Sequence, residues 1–276
     1  MEFSGGIWLN VGVLAMALLL ILGAAELFTN GVEWLGQKLG LSEGVIGSVL
    51  AAVGTALPET LIPIVAVCSA GTAVAVDAAT HTAMRHDVGI GAIAGAPFML
   101  CTLTMSVCGA AVWIFAKQGR RTAELKINQA VLSRDLSFFI AAYSAALLGT
   151  LASDLPAVRQ ILAAGLILTY GLYLKKTFAH EGEAGTAPEH LHFDGLLKVG
   201  TGLAVVIIQV IAGLIGILGG AYFFVEHITA LSQTISVPPV ILSMIIAPIA
   251  TELPEKFNSV LWARNSKDTL ALGNIT

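Results

Sequence analysis

Between Val88 and Ala116 the chain carries no Asp, Glu, Lys or Arg. A run that long and apolar has one stable setting, a helix crossing a bilayer, because lipid leaves the backbone only its own hydrogen bonds. The run is one of several. Others extend over about 7–28, 44–70, 136–153, 157–174, 195–232 and 240–263, and helical character in the first continues to about Lys38. Charged residues make up 12% of the 276-residue chain, mean hydropathy is +0.85, and soluble domains carry roughly 25% charge. The pattern predicts an all-α, polytopic helical membrane protein with seven full spans and, from Leu270, the start of an eighth. The net charge of −4 says little about partners; the bilayer itself is the expected one, and no nucleic acid is. The first span is not a signal peptide, because its apolar core is too long and Glu2 precedes it without Lys or Arg. Cys68, Cys101 and Cys108 keep no ligand spacing and read as buried free thiols. No Ser/His, His-Glu-x-x-His or paired-Asp arrangement sits in the spans, so no enzyme and no cofactor is expected.

Within the second span lies Gly54-Thr55-Ala56-Leu57-Pro58-Glu59, and the seventh repeats it as Ala250-Thr251-Glu252-Leu253-Pro254-Glu255. The two prolines are 196 positions apart. At that same offset, without a gap, Gly23 meets Gly219, Ala25 meets Ala221, Phe28 meets Phe224, Leu35 meets Leu231, Gln37 meets Gln233 and Ala51 meets Ala247. Internal similarity of this kind must be explained before any fold is proposed. One copy covers spans one and two and the other spans six and seven. Five spans separate the copies, an odd number, so they enter the membrane in opposite senses. An inverted-topology repeat is the expected architecture, with a site near the bilayer midplane.

The motif has a chemistry. A helical proline lacks the N–H and pushes away the carbonyl four residues back, so Pro58 frees the Gly54 carbonyl and Pro254 that of Ala250; Pro63 and Pro248 add breaks nearby. Such carbonyls, the Thr55 and Thr251 hydroxyls and the Glu59 and Glu255 carboxylates form an all-oxygen set. Oxygen sets suit hard cations, Ca2+ above all. A bare carboxylate at mid-membrane costs about 2.5–3.5 kcal/mol on insertion scales, and two together require neutralisation by cations or protons. Burial and like charge both raise a carboxylate pKa, so protons and metal ions can compete for one site. Glu252 stands one turn from Lys256 and reads either as a site member or as half of a local ion pair. Glu26 and Glu33 read as lying at the cytoplasmic end of span one.

Lys and Arg placement orients the spans. Lys38, Lys117, Arg120, Arg121, Lys126, Arg134, Lys175 and Lys176 put connectors one, three and five in the cytoplasm and the amino terminus outside. Arg264 and Lys267, in the seventh connector, are expected on the outer face as an exception. Residues 71–87 read as an exposed loop. The glycines of Gly91-x-x-x-Gly95 predict a close helix contact for span three. The Gly-, Ala-, Glu- and His-rich stretch 179–194 reads as a solvated linker; His180, His190 and His192 lack the spacing of a closed metal shell.

At these residues the sequence resembles the calcium/cation antiporter superfamily, whose sodium/calcium exchangers carry two inverted repeats with a Gly-Thr-Ser-Leu-Pro-Glu signature. The likeness covers nearly the whole chain. It implies repeats at 1–116 and 195–276, spans four and five at 117–178, and a cytoplasmic linker at 179–194. It implies that Glu59 and Glu255 are the central cation carboxylates, with oxygens from Thr55, Thr251, Gly54 and Ala250. It also implies secondary antiport of Ca2+ against Na+ or H+ by alternating access, in a bacterial or archaeal inner membrane. The sequence departs from the family pattern as well. Ala56 and Glu252 replace the signature serine, and Ala92, Ala96 and Leu100 replace polar positions of the third span. Gly273-Asn274 keeps the corresponding pattern in the second copy, which makes Asn274 a site candidate, and then the chain stops. From this stop a truncated chain is expected. Exchange of another cation against protons, or a transport-inactive fragment, are the alternative expectations.

Overall fold

The structure, a computed structural model, describes residues 2–40, 51–69, 78–151, 156–178, 190–197, 200–273 and 275. For 2–5, 51–55, 78–79, 131, 150, 174, 176–178, 196–197, 250, 253–258, 270 and 273 it describes the backbone alone. Among the described residues there are helices and no strand. They are α1 (Glu2–Lys38), α2 (Ala51–Ser69), α3 (Ala78–Met99), a π-helical turn (Leu100–Thr104), α4 (Met105–Lys117), α5 (Gln129–Thr150) and α6 (Pro156–Phe178). After them come α7 (His192–Leu197), α8 (Leu203–Ile235), α9 (Pro239–Thr251), α10 (Leu253–Arg264) and α11 (Asp268–Gly273). Among the described residues three helical segments are long and apolar enough to cross a bilayer: Gly6–Lys38, Thr80–Lys117 and Leu203–Ile235. The chain divides into two compact units. The first is Met1–Met99 with Ala184–Leu253, and the second is Leu100–Glu183 with Pro254–Thr276.

The first unit is built on two seams of small residues. Along α8, Gly213 lies against Phe28, Gly216 against Ala24 and Gly220 against Ile21 of α1, and Gly31 of α1 lies against Val210. As the numbers rise on α8 they fall on α1, so the two helices are antiparallel. A β-carbon added at Gly213 would stand 2.8 Å from the Phe28 Cα, which is why this face of α8 carries none. The second seam is the one expected of Gly91 and Gly95. A β-carbon on Gly91 would fall on the Val240 carbonyl oxygen, and one on Gly95 on the Met244 carbonyl oxygen. Ser243 Oγ closes the seam by donating to the Val88 carbonyl at 2.7 Å. Here the numbers rise together, so α3 and α9 are parallel. Gly89 meets Pro63 and Ala66, and Arg85 donates to the Ser69 carbonyl, which makes α2 antiparallel to α3. Ile21, Ile62, Val88, Ala92, Phe224, Val225, Ile228 and Ala247 fill the core between these helices.

Polar groups gather at two levels of this unit. At one, His227 Nδ1 meets Asn10 Oδ1 at 2.9 Å, and Arg85 pairs with Glu226. At the other, Gln209 is fully buried and donates to Asn30 Oδ1 at 2.9 Å and to the Leu27 carbonyl at 3.0 Å. Asn10 and Asn30 are 20 residues apart on one helix, or about 30 Å at 1.5 Å per residue. That matches the hydrocarbon thickness of a bilayer, about 30 Å.

In the second unit, α5 and α6 pack side by side, and Phe138 meets Tyr173 edge to face at 5.4 Å. Arg121 organises the rest. Its guanidinium lies 2.8 Å from Asp268 Oδ1, donates to Asp268 Oδ2 at 3.0 Å, and also bonds to the Ala263 and Glu124 carbonyls. The Lys126 N–H donates to the same carboxylate at 2.8 Å. Both side chains are buried.

Several sequence expectations need correction. The seventh connector lies against the third through Arg121 and Asp268, so Arg264 and Lys267 share a side with Arg120 and Lys126 within the second unit, and are not set apart from them as expected. Residues 78–87 are the start of α3, not loop, because Arg85 buries its charge against Glu226. Residues 71–77 lie outside the described residues. Span six begins at Leu203, not Gly195, since Gly200 adopts φ +79° and ends the short α7 before it. Span seven is two helices, α9 and α10, parted at Glu252. Cys68 and Cys101 are exposed and only Cys108 is buried; a membrane helix can turn a small apolar thiol toward lipid. The linker's end is not solvated: Leu191 is buried, and the backbone at His190, His192 and Phe193 is bonded by Asn30 and Gln209.

Gly95→Val forces α3 away from α9 and is expected to cost about 1–3 kcal/mol, read as a lower unfolding temperature in detergent. Gly219→Ala, where a β-carbon meets nothing, leaves that temperature unchanged or raises it. Arg121→Ala strands the Asp268 carboxylate and is expected to cost about 3–5 kcal/mol; in the same assay, loss of less than 1 kcal/mol (about 1 by the threshold for exposed pairs) counts against a buried staple.

Candidate functional site

Glu59 lies on α2 in the first unit. Its side chain is half-buried, and both carboxylate oxygens are buried. Ten residues separate it from Ser69, whose carbonyl accepts from Arg85 at the polar level of Glu226 and Asn10. That is about 15 Å of helix, half the distance between the two polar levels. Pro58 beside it is buried, as are Ile62, Pro63 and Ala66 on the following turns.

The second copy reaches a similar depth on α9. Thr251 and Glu252 are buried, at 7% and 2% exposure. They stand eight and nine residues beyond Ser243, which bonds to α3 one turn inside Arg85, so Thr251 lies about 12 Å further along at 1.5 Å per residue. α2 and α9 touch and run antiparallel, since α2 opposes α3 and α9 follows it. The unit thus brings Glu59, Thr251 and Glu252 to mid-depth on two helices of opposite direction. Thr251 Oγ1 donates to the Ala247 carbonyl at 3.2 Å, which leaves its lone pairs available. Glu252 adopts φ −98°, ψ 1° and donates its N–H to the Pro248 carbonyl at 3.1 Å.

The two copies differ in backbone. α2 continues through Pro58 and Pro63. In the second copy the helix stops at Thr251 and restarts at Leu253, which places Pro254 in the first turn of α10, where a missing N–H costs nothing. Both arrangements expose carbonyl oxygens that a regular helix would consume. Glu255 stands on α10 in the second unit. The side chains of Gly54, Thr55, Ala250, Glu255 and Lys256 lie outside the described ones, and Asn274 lies outside the described residues. Glu26 approaches His192 at 3.4 Å, with both side chains well exposed, so it belongs to the linker end and not to the motif.

No group of three or more His, Cys, Asp or Glu with metal-binding geometry occurs among the described residues. A groove between α5 and α6, lined by Phe138, Phe139, Thr169, Tyr170 and Tyr173 with Asp135, contains none of the motif residues. Sequence reasoning missed Arg85, Gln209 and Asn30 as buried polar anchors. Gln209 was the readable one, as the single amide in an otherwise apolar stretch of α8.

The family model described as sodium/calcium exchanger protein matches residues 9–176 and 205–276. A curated relative is an uncharacterized membrane protein, MJ0091, of Methanocaldococcus jannaschii. It is 21% identical over 267 residues, covering 97% of this chain and 76% of the relative. Among solved structures, that of an H+/Ca2+ exchanger, CAX, superposes with a TM-score of 0.68 at 16% identity, over 96% of this chain. The chain spans 62% of the length of that exchanger. A sodium-calcium exchanger, NCX_Mj, aligns at 19% identity with a TM-score of 0.44, over 98% of this chain and 77% of its own. The fold is that of the H+/Ca2+ exchanger structure, and the chain is a multi-pass membrane protein that belongs to the sodium/calcium exchanger protein family.

Proposed function

We propose that the chain is a secondary cation antiporter that exchanges Ca2+ by alternating access, with Glu59 and Glu255 as its cation carboxylates. The observation that carries this reading is the position of Glu59: a carboxylate with both oxygens buried, about 15 Å from either polar level. An ionised group there is expensive, and it is kept where it serves a transport path. Thr251 and Glu252, buried at similar depth on an antiparallel helix, add oxygens of the hard kind that Ca2+ takes. Thr55, Gly54, Ala250 and Asn274 complete the proposed ligand set.

The inverted repeat supports the same reading. Helices α1 and α8, which begin the two copies, are antiparallel along their glycine seam, and so are α2 and α9. Opposed copies with interrupted helices at mid-depth are the arrangement in which a fixed site is exposed alternately to the two sides. Seven spans with the start of an eighth follow if α5 and α6, at 22 and 23 residues, also cross. The basic connectors then face the cytoplasm of a bacterial or archaeal inner membrane, with the amino terminus outside.

For the counter-ion we favour the proton. Ala92, Ala96 and Leu100 supply no oxygen on α3, which reduces what a set of sodium ions could bind. Exchange of another cation against protons uses the same residues.

In vesicles, uptake of radiolabelled Ca2+ driven by a pH gradient is expected to vanish in Glu59→Gln and Glu255→Gln proteins that still reach the membrane. Full uptake by either variant removes that carboxylate from the site. Uptake driven by a sodium gradient and indifferent to pH reverses the choice of counter-ion.

A further inference from the structure

Within the second unit, Phe138 meets Tyr173 and Gly149 lies against Leu162. The numbers rise on α5 as they fall on α6, so the two helices form an antiparallel hairpin. Among their described side chains none is buried, and large apolar ones such as Leu148 and Ile161 stand exposed. A groove runs between the helices. Its first part is a cavity of about 310 Å3 at Asp135, Phe138, Tyr170 and Tyr173. A second cavity of about 340 Å3 continues it past Ala142, Leu166 and Thr169, which line both, to Ala145 and Ile161. Thr169 spends its hydroxyl on the Gly165 carbonyl, so this second part is apolar. From Asp135 to Ala145 is about 15 Å of helix. That is half the hydrocarbon thickness of a bilayer, about 30 Å, and so the depth of one leaflet.

Charge marks one end of the groove. Arg134 donates from Nε to Asp135 at 2.9 Å, and its guanidinium carbon lies 5.9 Å from the centre of the Tyr173 ring. The bond to Asp135 uses Nε alone, and the two terminal nitrogens have no partner among the described residues. The same end is the side of the 118–128 connector, where exposed cations collect. Lys117, Arg120 and Lys126 lead into α5, Lys175 ends α6, and the Arg121–Asp268 pair brings Arg264 and Lys267 to the connector. Among the described residues of this rim the exposed carboxylate is Glu124, since Asp135 is paired with Arg134 and Asp268 with Arg121. Lys117 lies over the Trp113 ring at 3.8 Å, a pairing suited to the membrane interface.

We propose that the α5–α6 groove binds one anionic phospholipid from the leaflet on the connector side, with an acyl chain along the groove and the phosphate on the Arg134 guanidinium. The groove offers an apolar slot one leaflet deep. The rim offers uncompensated Lys and Arg, which attract anionic headgroups, and a guanidinium can give a phosphate two donors. The general bias of basic residues to one side of a membrane accounts for the number of cations. It does not account for an arginine held at the mouth of a groove with its terminal nitrogens unspent. This lipid site is independent of the ion that the motif residues carry.

The test is thermal unfolding of the purified, delipidated chain in detergent, titrated with dioleoylphosphatidylglycerol or with dioleoylphosphatidylcholine. The wild type is expected to reach half its upward shift at about tenfold less phosphatidylglycerol than phosphatidylcholine. Arg134→Gln with Asp135→Asn removes the ion pair without stranding a carboxylate. This double variant is expected to need about tenfold more phosphatidylglycerol and to keep its response to phosphatidylcholine. Ala142→Phe fills the groove and is expected to lose both responses, as is Leu166→Trp. Glycerol phosphate alone is expected to shift nothing, because it has no chain for the groove. Equal wild-type responses to the two lipids overturn the proposal, and so does a double variant with the wild-type preference, even where a groove filler fails to fold. An Ala142→Phe protein that keeps the wild-type response places the lipid elsewhere. A full shift with glycerol phosphate makes the site one for free phosphate. A wild type that is dimeric in detergent and monomeric as Ala142→Phe gives the groove to a second copy. Each of these three results overturns the lipid.

Discussion

Two backbones in van der Waals contact at Gly91 and Gly95 hold the motif helices where they are. Between helices in lipid there is no hydrophobic effect to draw on, because the tails are as apolar as leucine. Association depends on close packing, and glycine permits the closest. At Gly91 and Gly95 the α3 backbone meets the Val240 and Met244 carbonyls with no side chain between. α9 is thereby fixed in height against α3, and α3 against α2 through Gly89, Pro63 and Ala66. The depth of Glu59 and of Thr251 follows from those contacts. A second glycine row, Gly213, Gly216 and Gly220, does the same for α8 on α1. Neither seam contains a motif residue, yet both decide where the motif residues stand.

Charge is distributed to match. Arg85 and Glu226 neutralise each other at one polar level, and Asn10 meets His227 there. Asn30 and Gln209 satisfy each other and the incoming backbone of 190–193 at the other level. Arg121 and Asp268 do the equivalent in the second unit, where the carboxylate accepts from a guanidinium and from the Lys126 N–H. These pairs are positioned by partners within the chain. Buried polar groups must be satisfied somewhere.

The helical class, the mid-membrane motif and the α3 glycine contact were legible, because each rests on a local rule. An uncharged run must be helical, a helical proline must free a carbonyl, and a Gly-x-x-x-Gly pair must admit a neighbour. Arg85 was not legible. A charge in a small-residue stretch reads as surface until its partner, 141 residues away, is known. The α8 seam was hidden for another reason: its three glycines sit in an apolar helix beside a fourth, Gly219, that touches nothing. The π-turn has no periodicity signal, so it could be seen only in three dimensions.

One motif, written twice, has two backbones, and they part at the position occupied by Ala56 in one copy and Glu252 in the other. Where the first copy has Ala56, the strongest helix former, α2 runs on through Pro58. Where the second has Glu252, the chain leaves the helix at φ −98°, ψ 1° and begins again at Leu253. A proline two residues past such a break sits where its ring and missing N–H are harmless, so Glu252 relieves the strain that Pro58 must tolerate. The break also ends the α9 ladder, which leaves the last carbonyls of that helix without intrahelical donors. The second copy therefore presents more free backbone oxygen than the first, beside a second carboxylate in Glu252.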